Sequence, residues 1–477
     1  MEKKITVIGS GPGGYVAAIR AAQLGAEVTV IEQDNLGGTC LNWGCIPSKV
    51  MKTTAEMLEN LHRAKEFGIL VSGEICLDMK RLMDRKQKVI RIQIEGIQRL
   101  FDHHKIRIVK GFGYIKGPKV VEVRSADHRT IHVPWDKLIL AMGSLPLDIP
   151  SFPVDGKRII SSREALELQE IPESMLIVGG GVIGCEFGFI FSSFGSKVTV
   201  LEAMDRLLPL PSVDEDCSKI IQREMKKRKI GFILNRTVEE VNKNGEKCRV
   251  TLGPSPFATQ PTKKGSTPLV LEVDKVLVCI GRKPNTAHVG LENLFVKTDE
   301  KGWILADGQM KTSATDVYAI GDLLGPSKVM LAHVASREGL IAAENAAGGR
   351  HIMNYDVVPG AIFTMPEVAH VGLTEPQARE HGYNVRSDSF LFRNLGKAQV
   401  IGEIAGQAKI VSDKDNGRIL GIHMVGPHAT DLIAEGTLGM RLGCTVKELA
   451  ETIHAHPTLS EVMMEVSFKA LDKALHG

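Results

Sequence analysis

The 477-residue chain has little net charge: 59 Lys and Arg against 56 Asp and Glu leave +3. That balance gives no general attraction to nucleic acid or to an anionic membrane. Aromatic residues are sparse at 5%. The one basic run, seven Lys and Arg between 80 and 99, has Met83, Ile90, Ile94, Ile97 and Phe101 recurring through it at helical spacing. It reads as an amphipathic helix with a solvated basic face, and without aromatics to stack bases it excludes a nucleic-acid site. Long uncharged apolar runs are also missing. The nearest approach, "MLIVGGGVIGCEFGFIFSSFG" (175 to 195), holds six glycines and Glu186, and a carboxylate at a bilayer centre costs ~2.5–3.5 kcal/mol. A strand, a turn and a helix explain that run better than a membrane span. The start, "MEKKITVIGSGPGG", has neither a signal-type apolar region nor an Arg/Ser-rich leader, so the expected compartment is the cytoplasm. Eight cysteines in so long a chain argue against a disulfide scaffold and for thiols, with any special pair being catalytic.

What is present begins with a duplication. At roughly 150 residues per domain the length implies about three domains. "ITVIGSGPGGYVAAIRAAQLGAEVTVIE" (5 to 32) and "MLIVGGGVIGCEFGFIFSSFGSKVTVLE" (175 to 202) share one pattern. Gly9, Gly11 and Gly14 match Gly179, Gly181 and Gly184; Gly25 matches Gly195, and Glu32 matches Glu202. A lone Gly-x-Gly-x-x-Gly is weak. Here each copy follows a β-branched strand, opens a helix and leads to a second strand ending in an acid, which is the full dinucleotide-binding unit. The glycines permit the turn, the close approach of pyrophosphate and the helix–strand contact, and the helix N-terminus faces the phosphates. An acid at the ribose favours NAD over NADP at Glu202, although nearby Arg206 keeps a 2′-phosphate in view. Two such sites predict electron transfer between a resident flavin at the first and a transient nicotinamide at the second. "TDVYAIGD" (315 to 322) reads as a buried strand delivering Asp322 to a ligand hydroxyl, or to a helix cap.

Between these copies lies "GGTCLNWGCIPSK" (37 to 49), with Cys40 and Cys45 eight and thirteen residues beyond Glu32. On an ideal helix residues five apart are separated by ~7.5 Å along the axis, whereas a disulfide needs Cα atoms within about 4.4–6.8 Å. Bridging them demands a distorted turn. Gly38 and Gly44 supply that freedom, and Pro47 is expected to prevent regular helix bonding through the segment. A strained bridge is readily reduced, which suits a redox couple. No second cysteine pair or histidine cluster stands at zinc-ligand spacing.

Residues 351 to 477 carry no nucleotide pattern. "GQAKIVSDKDNGRILGIHMVG" reads as a hairpin turning at Asn416-Gly417, with helices to follow, so this part is a candidate for subunit contact. It contains "HAHPTLSE" (454 to 461). Thr458-x-x-Glu461 is a capping-box pattern, and His456 before Pro457 is also placed to act as an acid–base group held by Glu461. Both readings are compatible.

With these motifs in hand, "GGTCLNWGCIPSK" resembles the redox segment of the flavin-dependent pyridine nucleotide–disulfide oxidoreductases. "GRKPNT" (281 to 286), "MLAHVASREG" (330 to 339), "FTMPEVAHVGLTE" (363 to 375) and "HAHPTLSE" extend that resemblance along essentially the whole chain, toward the lipoamide-linked branch. The resemblance implies an α/β fold of two Rossmann-like dinucleotide-binding domains plus a C-terminal α+β interface domain. FAD would occupy 1–150, with 282–350 returning to it; NAD would occupy 151–281; 351–477 would form the dimer. It further implies Cys40 as the interchange thiol, Cys45 as the thiolate against the flavin, and Lys49 paired with Glu186. Gly9, Gly11, Gly14, Glu32, Gly38, Thr39, Lys49, Gly113, Gly143, Ser144, Asp322 and Ala332 would contact FAD. Met142 stands where the family usually has Thr. Gly179, Gly181, Gly184, Glu186, Glu202, Val238 and Gly281 would contact NAD, and no residue is assigned to a metal. His456 and Glu461 would serve the cysteines of a second subunit, making a homodimer that reoxidises protein-bound dihydrolipoamide. No lipoyl-bearing module precedes the first strand, so that partner is expected to be a separate chain. Glutathione-type relatives would want a basic residue in place of Glu202, mercuric-type relatives a C-terminal cysteine pair, and a soluble transhydrogenase would lack one of the two cysteines. A flavin-bound scaffold without turnover is the alternative from a different class. The insertion "GPSPFATQPTKKGSTP" (253 to 268) is expected to be an exposed hairpin extension.

Overall fold

A computed structural model describes residues 3–125, 127, 129–257 and 269–477. The two copies of the glycine pattern fold into two parallel sheets of five strands each. In the first, the order along the sheet is Val317–Ala319, Lys137–Leu140, Lys4–Ile8, Glu27–Glu32, Arg107–Lys110. In the second it is Gly231–Ile233, Lys197–Leu201, Ser174–Val178, Lys275–Val278, Ile159–Ser161. Their central strands, "KITVI" and "SMLIV", are buried on both faces, because helices cover one side and a small antiparallel sheet packs on the other. Ile5, Val7, Met175, Leu176 and Ile177 are fully buried. The apolar run at 175–195 is thus a strand, a turn and the helix Val182–Ser193. Among the described residues no helix is long and apolar enough to cross a membrane.

Small antiparallel sheets decorate each unit, Phe112–Pro134 on the first and Arg236–Val273 on the second. The strands Lys247–Pro254 and Leu269–Val273 flank the insertion. Residues 258 to 268, most of the expected hairpin extension, lie outside the described residues.

The C-terminal part is a third unit: an antiparallel sheet of five strands ordered Gly360–Ile362, Glu367–Gly372, Ile419–Gly426, Gln407–Asp413, Val385–Leu391. Helices Ala429–Leu442 and Glu461–Ala470 pack on it around Ile422, Met424, Ile433 and Met463. The hairpin turning near Asn416-Gly417 is present, with Gly417 at φ +74° closing a five-residue loop between its strands.

The basic run forms the helix Met79–His103, begun by an Asp78 carboxylate that accepts from the Arg81 N–H. It buries Met79, Leu82, Met83, Ile90, Ile97 and Phe101. One of its cations departs from the solvated-face reading. Lys86 is fully buried, donating to the Leu166 carbonyl and to Glu167 at 2.9 Å. Pro47 is a second correction: it does not interrupt the helix. Cys45–His62 is continuous, and Pro47 is its third residue, where the missing N–H would have had no intrahelical partner.

The third glycine of each pattern is a packing requirement. A Cβ on Gly184 would lie 1.9 Å from the Gly179 carbonyl oxygen, whereas one on Gly181 meets nothing within 4 Å. Gly184→Ala should therefore cost about 2–3 kcal/mol of stability, read as a lowered thermal midpoint. Gly181→Ala should cost less than about 1 kcal/mol yet, if the sequence expectation of a pyrophosphate at this turn holds, weaken NADH binding, read by titration, because its methyl group would fill the open space there.

Candidate functional site

Both nucleotide patterns end in the same local device. Gly11 and Gly181 are the N-caps of helices Pro12–Gln23 and Val182–Ser193, with no side-chain cap and no acid in the first turn. The leading N–H groups of each helix are left for an external anion. Gly9 and Gly179, at φ +97° and +107°, make the preceding turns; a Cβ would lie 2.4 Å from the Ala141 or Cys279 carbonyl oxygen. Glu32 accepts from Ser10 N–H and Oγ and from Asp34 N–H. Glu202 likewise accepts from Gly180 N–H at 2.6 Å and Met204 N–H at 2.8 Å. Each carboxylate, buried at 7–8% exposure, faces its own glycine turn. The first site is continued by Gly38, whose Cβ would meet Gly11 Cα at 2.7 Å, and by Gly113, whose Cβ would meet the Ile31 side chain at 3.2 Å. Thr39 lies exposed on the helix Gly38–Trp43, and Ala332 begins the helix Ala332–Ala347. Gly143, at φ +71°, and Gly281, at φ +124°, have open space where a Cβ would stand, and Val238 is buried beside the second sheet.

Ser144 and Asp322 meet: the Ser144 hydroxyl donates to Asp322 Oδ2. Arg282, which sequence reasoning left unnamed, binds both. Its Nε donates to Ser144 Oγ at 2.6 Å and lies 3.6 Å from Asp322 Oδ2. Only the quoted "GRKPNT" pointed to it.

The cysteine segment breaks where the glycines allow. Gly38–Trp43 and Cys45–His62 are separate helices joined at Gly44, φ −144° and ψ −112°. A Cβ there would lie 3.0 Å from the Thr39 carbonyl oxygen and 3.3 Å from Cys40 Cα. The break turns the two thiols toward each other within hydrogen-bonding reach, and both are free thiols. Coupling to the neighbouring Cys45, and then partial burial, hold the Cys40 thiol far above the ordinary range. Cys45 is the opposite case. Its coupling to Cys40 brings it down to about 7, with the Lys49 ammonium helping, against the desolvation imposed by surrounding protein and the charge of Glu186. Cys45 is open to solvent at its rim even so.

Lys49, one turn into the helix, donates to Glu186 at 2.8 Å. Glu186 is 7% exposed and its second oxygen accepts from the Phe363 N–H at 2.9 Å. The Phe363 ring lies 4.3 Å from the Lys49 ammonium. Phe363 was seen in sequence only as part of a motif, because its partners are over a hundred residues away.

At the other end of the chain, His456 Nδ1 bonds Glu461 Oε1 at 2.9 Å, while Glu461 Oε2 accepts from the Thr458 N–H at 2.8 Å. Glu461 thus holds both the imidazole and the backbone ahead of the helix. The capping box expected at Thr458 is not formed: the helix Glu461–Ala470 starts at Glu461 itself, with Ser460 as an N-cap that makes no side-chain bond. Burial opposes its ionisation, but the Thr458 N–H and His456 keep its carboxyl below the usual range. The His456 side chain is 76% exposed. Among the described residues no hydrogen bond or ion pair joins His456 or Glu461 to Cys40, Cys45 or Lys49 of the same chain. Nor are three or more His, Cys, Asp or Glu side chains gathered to hold a metal ion.

The comparisons with known proteins agree with this geometry. Residues 3–339 match the model for pyridine nucleotide-disulphide oxidoreductases, and residues 358–467 match that family's dimerisation domain. The chain belongs to the pyridine nucleotide-disulphide oxidoreductase family. It is 41% identical to the dihydrolipoyl dehydrogenase of Bacillus subtilis over 100% of this chain and 99% of that one. It is also 41% identical to the enzyme of that name from Chlamydia muridarum, over 98% and 97%. Among solved structures, LpdA of Mycobacterium tuberculosis superposes with a TM-score of 0.89 at 27% identity, covering 98% and 99%. The HOCl-induced flavoprotein disulfide reductase RclA of Escherichia coli gives 0.84 at 26%, covering 97% and 99%. The two-Rossmann α/β architecture with a dimerisation domain is that of the family, whose members work with FAD and NAD(H). The uncapped helix ends and acid-terminated strands described above fit both nucleotides.

Lys49 adds to the lowering of the Cys45 pKa, after the coupling to Cys40. Removing its cation in Lys49→Met should raise the apparent Cys45 pKa above about 7, because a nearby positive charge favours the thiolate. The pH dependence of alkylation at the Cys45 peptide of the reduced protein checks this: the midpoint should move to higher pH.

Proposed function

We propose that the chain reoxidises protein-bound dihydrolipoamide to lipoamide through a Cys40–Cys45 disulfide and FAD, reducing NAD+ to NADH. The observation that carries this reading is the facing Cys40 and Cys45 thiols beside the Lys49–Glu186 pair. The full-length kinship to dihydrolipoyl dehydrogenases supplies the substrate class. In this reading residues 1–150 with 282–350 hold FAD, 151–281 hold NAD, and 351–477 form the dimer contact.

The chain's own groups account for the sulfur chemistry. His456 of one copy takes a proton from the substrate dithiol bound at the cysteines of the other. The resulting thiolate attacks Cys40 Sγ, and Cys45 leaves as thiolate, the form its environment favours near neutral pH. The second substrate sulfur then attacks the mixed disulfide, releasing lipoamide and leaving Cys40 reduced, so two electrons have passed to the cysteine pair. Glu461 holds the imidazole by its Nδ1, leaving Nε2 for the substrate. Gly9, Gly11, Gly14, Glu32, Gly38, Thr39, Lys49, Gly113, Gly143, Ser144, Asp322 and Ala332 would hold FAD, which would supply the redox chemistry between the cysteine pair and the nicotinamide. Two facts support the division between copies. His456 is exposed and unlinked to its own cysteines, and apolar side chains stand open on the same unit: Ile453 at 96%, Leu442 at 71% and Leu438 at 61% exposure.

Gly179, Gly181, Gly184, Glu186, Glu202, Val238 and Gly281 take the nicotinamide nucleotide. Arg206 is turned to the backbone, where Nη1 and Nη2 donate to the Val213 and Leu210 carbonyls at 3.1 and 3.0 Å, which supports NAD over NADP. The partner in this reading is a lipoyl domain, and the compartment is the cytoplasm, whose reducing poise keeps the remaining cysteines as thiols.

His456→Gln should leave flavin absorbance intact while anaerobic reduction by dihydrolipoamide slows on the order of 100-fold or more, the scale of a lost acid–base group. Unchanged reduction would refute the role. With NADP+ in place of NAD+, kcat/KM should fall on the order of 100-fold, since a phosphate against Glu202 meets like charge.

A further inference from the structure

Glu338 is a buried acid that the sulfur chemistry does not use. It lies midway along the helix Ala332–Ala347 at 1% exposure, one residue before the Gly339 that packs on the helix Pro12–Gln23. The two helices approach closely: a Cβ on Gly339 would stand 2.4 Å from the Gly13 carbonyl oxygen. A carboxyl in such a seam is costly unless its oxygens are occupied. Both are. The Gly321 N–H donates to Oε2 at 2.6 Å, and the Tyr355 hydroxyl donates to Oε1 at 2.6 Å.

Gly321 opens the short turn Gly321–Leu324, which has no side-chain cap of its own, and stands at φ +72°. Glu338 therefore supplies from another helix the cap that the turn lacks. The next residue is Asp322, already gripped by the Ser144 hydroxyl and Arg282.

We propose that Glu338, itself tied down by Tyr355, is a positioning residue that fixes the Gly321–Asp322 turn so that Asp322 is presented to the flavin. This rests on the reading of Asp322 as a flavin contact. Burial pushes the Glu338 carboxyl up to about 7, with the Asp322 charge adding to it, while the Tyr355 hydroxyl, the Gly321 N–H and the Lys328 ammonium hold it down. A neutral acid is therefore an ordinary state of this side chain near neutral pH. A glutamine, which keeps one oxygen for the Gly321 N–H, should replace it, and a leucine should not.

The test is FAD release from the purified holoprotein during dialysis, followed by flavin fluorescence, together with the absorption spectrum of the flavin that stays bound. Glu338→Leu should release FAD about tenfold more readily than wild type, as expected for a stranded buried N–H, and shift the bound spectrum toward that of free FAD. Glu338→Gln should stay within about threefold of wild type, and Tyr355→Phe should fall between the two. If Glu338→Leu does not fold, Tyr355→Phe carries the test, and release unchanged from wild type overturns the proposal. Retention of FAD by Glu338→Leu, or loss from Glu338→Gln as large as from Glu338→Leu, overturns it as well. Asp322→Asn separates the two readings. If it releases FAD no faster than wild type, the assignment of Asp322 to the flavin fails. If it releases FAD faster while Glu338→Leu does not, only the positioning role fails.

Discussion

The helix break at Gly44 is the constraint on which the site depends. Were residues 38 to 62 one continuous helix, Cys40 and Cys45 would stand more than a turn apart on diverging faces. Gly44 at φ −144° and ψ −112° ends one helix and starts the next, and the space beside it is already filled by the Thr39 carbonyl and Cys40 Cα. The same break makes Cys45 the first residue of an eighteen-residue helix. Its sulfur is thereby placed at the positive end of a helix macrodipole, which favours a thiolate. The pairing of the sulfurs and the inequality of their acidities follow from one backbone irregularity.

From Cys45 the helix runs as a spine between the three units. Lys49 reaches Glu186 of the second unit at 2.8 Å, and Lys52 reaches Glu367 of the third at 2.7 Å. Glu59 accepts from Ser193 of the second at 2.7 Å, and Arg63 donates to the Gly402 carbonyl of the third at 2.8 Å. Phe363 lies between the two lysines, 4.3 Å from one ammonium and 5.9 Å from the other. Partly buried ion pairs of this kind add little net stability, because desolvation offsets their attraction. Their effect is on geometry: a displaced third unit would leave Glu186 short of the Phe363 N–H and so loosen Lys49 beside Cys45.

Sequence carried the local devices well and the long-range ones poorly. The glycine turns and their acids were legible because each repeats within about 25 residues and each residue type has a backbone reason to be there. The Glu461–His456 bond was legible too, since the two fall within five positions, whereas the capping box expected at Thr458 is absent because the helix starts only at Glu461. Pro47 was misread because a proline two residues after a helix start looks the same in sequence as one that breaks a helix. Lys86 was taken for part of a solvated face; its partners, Leu166 and Glu167, lie some eighty residues away. Arg282, Phe363 and Glu338 share that difficulty. Each acts through partners that only the folded chain brings near, and nothing in their own neighbourhoods marks them.

The separation of His456 from Cys40 within one chain bears on why the third unit exists at all. Its antiparallel sheet has its own core, built from Ile410, Ile422, Met424 and Val462, and it would fold without serving a nucleotide. Yet it bears the His456–Glu461 pair that the proposed function assigns to sulfur chemistry, and it leaves that histidine 76% exposed on a unit whose Ile453, Leu438 and Leu442 are also uncovered. Apolar side chains so exposed gain stability when a second surface covers them. Under the proposed function that second surface brings the cysteines with it, so the burial that drives association is also what completes the active site. A monomer would then hold sulfur without base, and dimer affinity would set the fraction of competent enzyme.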